Sequence, residues 1–133
     1  MFFFDTNLII ACLRGRAEAV ARRVEAMAPS DIAIPFQVLA ELRTGSAKSE
    51  RPAHQAARVA AFVQPYAIVW PDASALDHYV DIRVHLERAG QIISQPDLWI
   101  AAVARAAGGV LITHNTGEFS RVPDLQIEDW LAP

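Results

Sequence analysis

Four acids fall where a folded chain could use them together: Asp5, Glu41, Asp97 and Glu118. Asp5 raises the question most sharply. It follows three phenylalanines in "FFFDTNLII", so a carboxylate lies between two segments built for burial. A buried carboxylate is costly unless something pairs with it. Each acid also has a purely architectural role open to it. Asp5 could cap a helix starting near Asn7. Asp97 is the fourth residue of "SQPD", a Ser-x-x-Asp variant of the capping box. Glu41 shares a helical stripe with Gln37, Thr44 and Lys48, opposite an apolar face of Phe36, Leu39, Ala40 and Leu42, and so reads as a solvated surface acid. Glu118 reads as a loop acid. Spacing leaves both kinds of role open for all four.

The elements that must position these acids alternate. "MFFFD" is a strand by its length and aromatic content. Residues 7–28 read as helical with a break near Gly15, and "DIAIP" (31–35) is a second strand. Pro35 opens a helix that Gly45 closes. Residues 52–64 are helical, "YAIVWP" (66–71) is a third strand, and a long helix runs from the N-cap Asp72 to Gly90. "SQPDLWIAAVARAAGG" is an almost wholly apolar and therefore buried helix. "VLIT" (110–113) is a fourth strand and "LQIED" (125–129) a fifth near the edge. Strands alternating with helices predict an α/β fold, a three-layer α/β/α sandwich around a mostly parallel sheet of four to five strands, one domain over residues 1–133. In such sheets ligands bind beyond the carboxyl ends of the strands. Asp5 ends the first strand, Asn115 and Glu118 follow the fourth, Asp97 opens the helix leading into the fourth, and Glu41 lies in the helix after the second. A doubly wound sheet could bring all four acids to one rim.

Composition narrows the function classes. The chain has 133 residues, 53% of them apolar and 24 alanine, which fits a helix-rich globular domain and excludes a disordered one. No apolar run approaches the ~20 residues needed to cross a bilayer. The lone Cys12 has no internal disulfide partner, so a reducing cytoplasm is the expected location. A net charge of −3 argues against generic nucleic-acid binding, yet residues 1–58 carry 8 basic and 6 acidic groups while residues 59–133 carry 4 and 9. Eleven of the 12 basic residues are arginine, the better bidentate partner for phosphate or carboxylate. Arg43 lies on the apolar side of its helix, which points to a buried pair or a subunit contact.

Other site chemistries fare poorly. His78 and His85 are two helical turns apart, about 10 Å along the axis, too far for a shared metal or a concerted acid–base pair. Both read as surface residues. A phospho-aspartate signalling site needs a second adjacent acid, an acid after the third strand and a late lysine. Here the first strand ends "DTN", the third ends "VWP", and the only lysine is Lys48. An aspartyl-nucleophile phosphatase wants an acid two residues after the first, where Asn7 stands.

Three blocks in order, "FFFDTNLII", "AIPFQVLAELRTG" and "QPDLWIAAVARAAGGVLITHNTGEFSRVPDLQIEDW", resemble the PIN-domain family, and within it the VapC-type toxins of toxin–antitoxin pairs. The resemblance covers essentially the whole chain; residues 46–60 match no motif. It implies a metal-dependent endoribonuclease with catalytic acids at Asp5, Glu41 of "AEL" and Asp97 of "PDLWIAA", and a variable fourth acid matched by Glu118 of "NTGEF", with Asn115 beside it. Thr6 and Thr113 match supporting hydroxyls. Mg²⁺, or Mn²⁺ in its place, takes oxygen ligands and keeps several waters, so a few carboxylates suffice; Asp5 and Asp97 are the expected direct ligands, with Glu41 and Glu118 holding the metal directly or through water. Bound metal lowers the pKa of a coordinated water and clamps the scissile phosphate, and the resemblance implies products with 5′-phosphate and 3′-hydroxyl ends. Arg14 and Arg16, with Arg22 and Arg23, could meet RNA phosphates, an acidic partner or only water, and His114 flanks the proposed rim. The resemblance further implies a small DNA-binding antitoxin whose tail covers the acidic groove and places an arginine among the carboxylates, together with homodimerisation, for which exposed apolar surface on the early helices would serve. A non-catalytic RNA- or protein-binding domain is the alternative from another class, and it would show no divalent-specific response.

Overall fold

The computed structural model describes residues 1–132. Short apolar runs form strands and the segments between them helices, in the order β1 (Phe2–Phe4), α1 (Thr6–Leu13), α2 (Glu18–Ala26), β2 (Ile32–Pro35), α3 (Phe36–Ala47), α4 (Pro52–Val63), β3 (Ala67–Val69), α5 (Ala73–Arg88), α6 (Gln95–Ala106), β4 (Val110–Ile112), α7 (Thr116–Phe119) and β5 (Gln126–Glu128). The strand order is β3-β2-β1-β4-β5 and every pairing is parallel. A parallel sheet requires a crossover between successive strands, and right-handed crossovers put helices on both faces. Accordingly α1, α2, α3 and α4 contact one another while α5 packs along α6, giving the α/β/α sandwich; α3 also touches α6. The core is the apolar filling between these layers, with Phe3, Phe4, Leu111, Ile112 and Ile34 of the sheet and Ile100 of α6 almost wholly buried.

The local rules that set the helix limits are visible at the caps. Asp72 accepts from the Ala75 amide at 2.9 Å and starts α5. Ser94 accepts from the Asp97 amide at 3.3 Å and starts α6. Gly15 takes φ +66° where the chain turns between α1 and α2, a left-handed conformation that glycine adopts without steric cost. Gly45 does not close α3 as the sequence suggested. The helix continues to Ala47 because Gly45 is helical and exposed, where glycine costs only about 1 kcal/mol against alanine, and Ser46 Oγ donates to the Leu42 carbonyl at 3.0 Å. The segment after β4 holds one helical turn, α7, so Glu118 belongs to a helix rather than a loop. The large exposed apolar side chains are also not on the early helices: they include Trp70 after β3, Leu76, Val80 and Val84 on α5, and Ile92.

β1 is central, with β2 on one side and β4 on the other. The winding direction therefore reverses at the β1–β4 boundary, which is the switch point where open α/β sheets form their crevice. Residues following β1 and β4 emerge together there.

Gly109 keeps α6 and β4 close to this boundary. A Cβ at that position would collide with the ring of Phe3 and lie 2.9 Å from the Met1 carbonyl, and both the ring and the strand backbone are fixed by the sheet. Gly109→Ala is predicted to destabilise the fold by about 1–3 kcal/mol, the usual cost of overpacking. The check is the urea midpoint at unchanged m-value.

Candidate active site

The sheet explains where Asp5 goes. Its amide donates to the Ile112 carbonyl at 3.0 Å, extending the β1–β4 ladder by one residue, and its side chain turns into the crevice at 5% exposure. There one carboxylate oxygen accepts from the Thr6 amide at 2.8 Å and the other from Thr113 Oγ1 at 2.7 Å. Thr113 directly follows β4, and its hydroxyl oxygen accepts in turn from the Asn115 amide at 3.0 Å. Asp5 thus caps α1 and occupies the crevice at once. Burial raises its carboxyl above the ordinary aspartate value, and the two hydrogen bonds pull it back down. Thr6 carries the arrangement further: its hydroxyl donates to Glu41 at 2.6 Å, tying α1 to α3. Glu41 itself is exposed, as its stripe on α3 suggested.

Asp97, in the first turn of α6, joins the cluster from the other layer. Its carboxyl is raised from 3.8 to about 6, first by burial, then by the charge of Asp5 and by the hydrogen-bonded carboxyl of Glu118, against the lowering effect of Ser94. Burial is the larger cause, and the neighbouring carboxylates of Asp5 and Glu118 add to it. Asp5 at an N-cap and Asp97 in a first turn each face the positive end of a helix dipole, which offsets part of their repulsion. Among the described residues no arginine, lysine or histidine forms a salt bridge with any of the four acids. The donors are hard oxygens, the type that Mg²⁺ and Mn²⁺ select. Among the described residues no three acidic, histidine or cysteine side chains close into a metal cage. Asp5 and Asp97, as hard oxygen donors without a basic partner among the described residues, suit a cation that keeps most of its waters, as Mg²⁺ does.

Other residues singled out in the sequence lie elsewhere. Asn115 reaches the cluster through its backbone amide; its side chain makes no cap bond. His114 is exposed and pairs with Asp129 at 3.0 Å, on the β5 side. Arg14 and Arg16 are exposed around the end of α1. Arg23 lies over the Trp130 ring at 3.8 Å, so its guanidinium is engaged by the fold. Arg43 is exposed rather than buried in a pair, because its position on α3 faces the gap towards α4. His78 is half-buried and accepts from Arg105 at 2.8 Å, while His85 is at the surface. Two residues had no signal in the pattern. Gln37 is buried although it shares the Glu41 stripe, and its Oε1 has no hydrogen-bond partner. Arg58 donates to the Leu13 carbonyl and so closes the C-terminal end of α1.

Two concavities do not contain the acids: one of about 440 Å³ lies between α3 and α4, and one of about 660 Å³ on the outer side of α5. A cleft of about 210 Å³ reaches one of them, Glu41, and runs past Arg14, Ile10, Leu13 and Leu42 towards Arg58.

The raised carboxyl of Asp97 has a stability consequence. Its folded value of about 6 exceeds its unfolded value near 3.8, so the folded state holds the proton more tightly and stability falls as pH rises from about 4 through 6. Without divalent metal, Asp97→Asn is predicted to melt higher than the parent above pH 6, and the advantage should vanish as pH falls towards 4. Paired thermal melts across that range, in chelator, check the sign.

Comparison with known proteins places this geometry. The PIN domain family model matches residues 2–125. Ribonuclease VapC1 of Haemophilus influenzae is 33% identical over 131 residues, covering 98% of both chains. The tRNA(fMet)-specific endonuclease VapC of Shigella flexneri is 34% identical over 129 residues, covering 97% of both. Among solved structures, VapBC2 from Rickettsia felis, bound to a DNA fragment from its promoter, superposes with a TM-score of 0.91 at 32% identity, covering 97% of this chain and 98% of that one. A family match across nearly the whole length, shared by sequence and by fold, means that the chain belongs to the PIN-domain family, among its VapC members.

Proposed function

We propose that this protein is a metal-dependent endoribonuclease and the toxin half of a toxin–antitoxin pair, acting in the cytoplasm. What supports this is the half-buried Asp97 standing near enough to Asp5 and Glu118 for them to raise its carboxyl beyond the effect of burial, with Asp5 held by Thr113 and Glu41 joined to them through Thr6. Neighbouring carboxylates with no salt bridge to a cationic side chain among the described residues suit a divalent cation. When bound, Mg²⁺ or Mn²⁺ supplies an activated water and neutralises charge on the scissile phosphate. Asp5 and Asp97 would hold the ion. Thr113 and the Thr6 amide keep the Asp5 carboxylate aimed into the crevice, leaving it no freedom to rotate away. Glu41, exposed and held by the Thr6 hydroxyl, is placed to orient the attacking water and accept its proton. Glu118 completes the acidic set beside Asp97.

The partner follows from the same family. The relative from Rickettsia felis was solved as a VapBC complex on DNA, and so was VapBC from Salmonella typhimurium, which superposes at a TM-score of 0.91 with 33% identity. By that likeness a small DNA-binding antitoxin is assigned to this chain. The cleft beside Glu41, apolar along Ile10, Leu13 and Leu42 with Arg14 and Arg58 at its sides, suits a tail that carries both apolar and acidic side chains. An arginine from that tail would neutralise the carboxylates. Homodimerisation belongs to the same proposal.

Asp5→Asn and Asp97→Asn should each lower RNA cleavage by at least about a hundredfold, the scale lost when one charge-stabilising group is removed, while circular dichroism stays native. Sequencing of RNA 5′ ends after brief expression, against the Asp5→Asn variant, identifies the cut site. Retained cleavage by both variants would remove the carboxylates from the chemistry. Metal gives a second test. Mg²⁺ or Mn²⁺ at about 100 times its Kd should stabilise the fold by about 2.7 kcal/mol. A melting curve unmoved by millimolar metal would leave a non-catalytic binding domain as the better description.

A further inference from the structure

Of the six large apolar side chains that stand exposed among the described residues, five fall between Trp70 and Ile92, and the sixth is Met1. Leu76, Val80 and Val84 recur at every fourth residue of α5, at 51%, 52% and 37% exposure, and so form one stripe. Trp70 and Ile92 stand just before and just after the helix. Single exposed apolar residues are ordinary, whereas a contiguous group marks a contact surface. The inner face of α5 is already filled: Ala75, Tyr79, Ile82 and Leu86 are buried, and α6 packs along the helix. The stripe is a second apolar face, turned outward.

The charges beside the stripe point to what covers it. Along one flank Asp77 and Asp81 come first and His85 and Arg88 last, around a hollow of about 660 Å³ that also takes in Val80 and Val84. Asp81 is held by Arg105 at 2.6 Å, whereas Asp77 and Arg88 have no salt bridge among the described residues. Those two lie about 16 Å apart along the axis, too far to pair within one chain. On the other flank Arg83 and Glu87 already pair at 2.9 Å. A flank that is acidic at one end and basic at the other is complementary to its own reverse. A two-fold axis perpendicular to the helix performs that reversal, setting two copies of α5 antiparallel. With Val80 of one copy facing Val84 of the other, Asp77 falls within one residue of the position opposite Arg88. The Trp70 end of one helix then meets the Ile92 end of the other. A parallel arrangement would set Asp77 against Asp77 and Arg88 against Arg88.

We infer that the outward face of α5 docks a second copy of this chain, α5 against α5 and antiparallel. The inference rests on the homodimerisation proposed above and gives it a surface and an orientation.

The test is sedimentation velocity of the full chain over a micromolar concentration series, in which the parent should run as a two-chain species. Val80→Glu, at a half-exposed position where substitution leaves the fold intact, should raise the dimer Kd at least about tenfold. Asp77→Arg and Arg88→Asp, each alone, should do the same to about the same extent, because like charges then face each other across the contact. Mixing these two variants should restore the parental affinity in a heterodimer, since each supplies the charge that the other now faces. Weakening by the single charge variants without rescue in the mixture would overturn the antiparallel pairing. Parental affinity in Val80→Glu and in both charge variants would overturn the surface and leave homodimerisation to another face. A parent that stays monomeric throughout would overturn the surface and homodimerisation together. If Val80→Glu self-associates normally and instead loses the antitoxin, the stripe belongs to the antitoxin and the inference falls.

Discussion

The burial of one carboxylate constrains much of this structure. Asp5 is almost completely removed from water at the seam between β1 and β4, and an ionised group there is tolerated only when its oxygens are hydrogen-bonded. The chain meets the requirement with two donors from different places, the first amide of α1 and the hydroxyl that follows β4. These donors hold the end of β1, the start of α1 and the end of β4 in one arrangement. Losing either would leave a buried oxygen unpaired. The threonines are therefore as much a part of the architecture as of the crevice they line.

The same economy recurs at the other acids. Asp97 belongs to a helix-start pattern with Ser94 and also faces Asp5 and Glu118. Glu41 is a surface residue of α3 and is also bonded to Thr6. Helix starts are where parallel sheets deliver chain to the rim, and helix dipoles favour negative charge there. Capping and clustering are thus one placement seen at two scales. Burial and the repulsion left over together raise the carboxyl of Asp97, and the repulsion is the part that a divalent ion would relieve.

Positive charge is arranged by a different logic. Arg105 ties α6 to α5 and to the segment before β5, bonding His78, Asp81 and the Pro123 carbonyl, and Arg58 closes the end of α1. Arg23 covers Trp130. Arg14 and Arg16 stay exposed, with Arg14 beside the cleft that opens at Glu41. Removing the four rim acids from the count would move the net charge from −3 to +1, so the overall acidity of the chain reflects the crevice more than its outer surface.

Much of this was written locally. Alternation of short apolar runs with helical patterns specified the strands, their parallel pairing and the rim where acids would emerge, because periodicity and chain direction are short-range properties. The start of α5 at Asp72 and of α6 at Ser94 was legible for the same reason. Helix α3 running through Gly45 was not, because an exposed glycine costs a helix too little to end it. Nor was the burial of Gln37, since a stripe of polar residues cannot report which neighbour will cover it, nor the engagement of His78 by Arg105 across two helices. Residue types and spacing by themselves determined that four acids, two threonines and a parallel sheet were available. Only the tertiary structure decided that Asp5 would meet Thr113 across 108 positions of sequence and that Asp97 would feel the charge of Asp5, because hydrogen bonding and Coulomb interaction depend on distance in space, which the winding of the sheet sets.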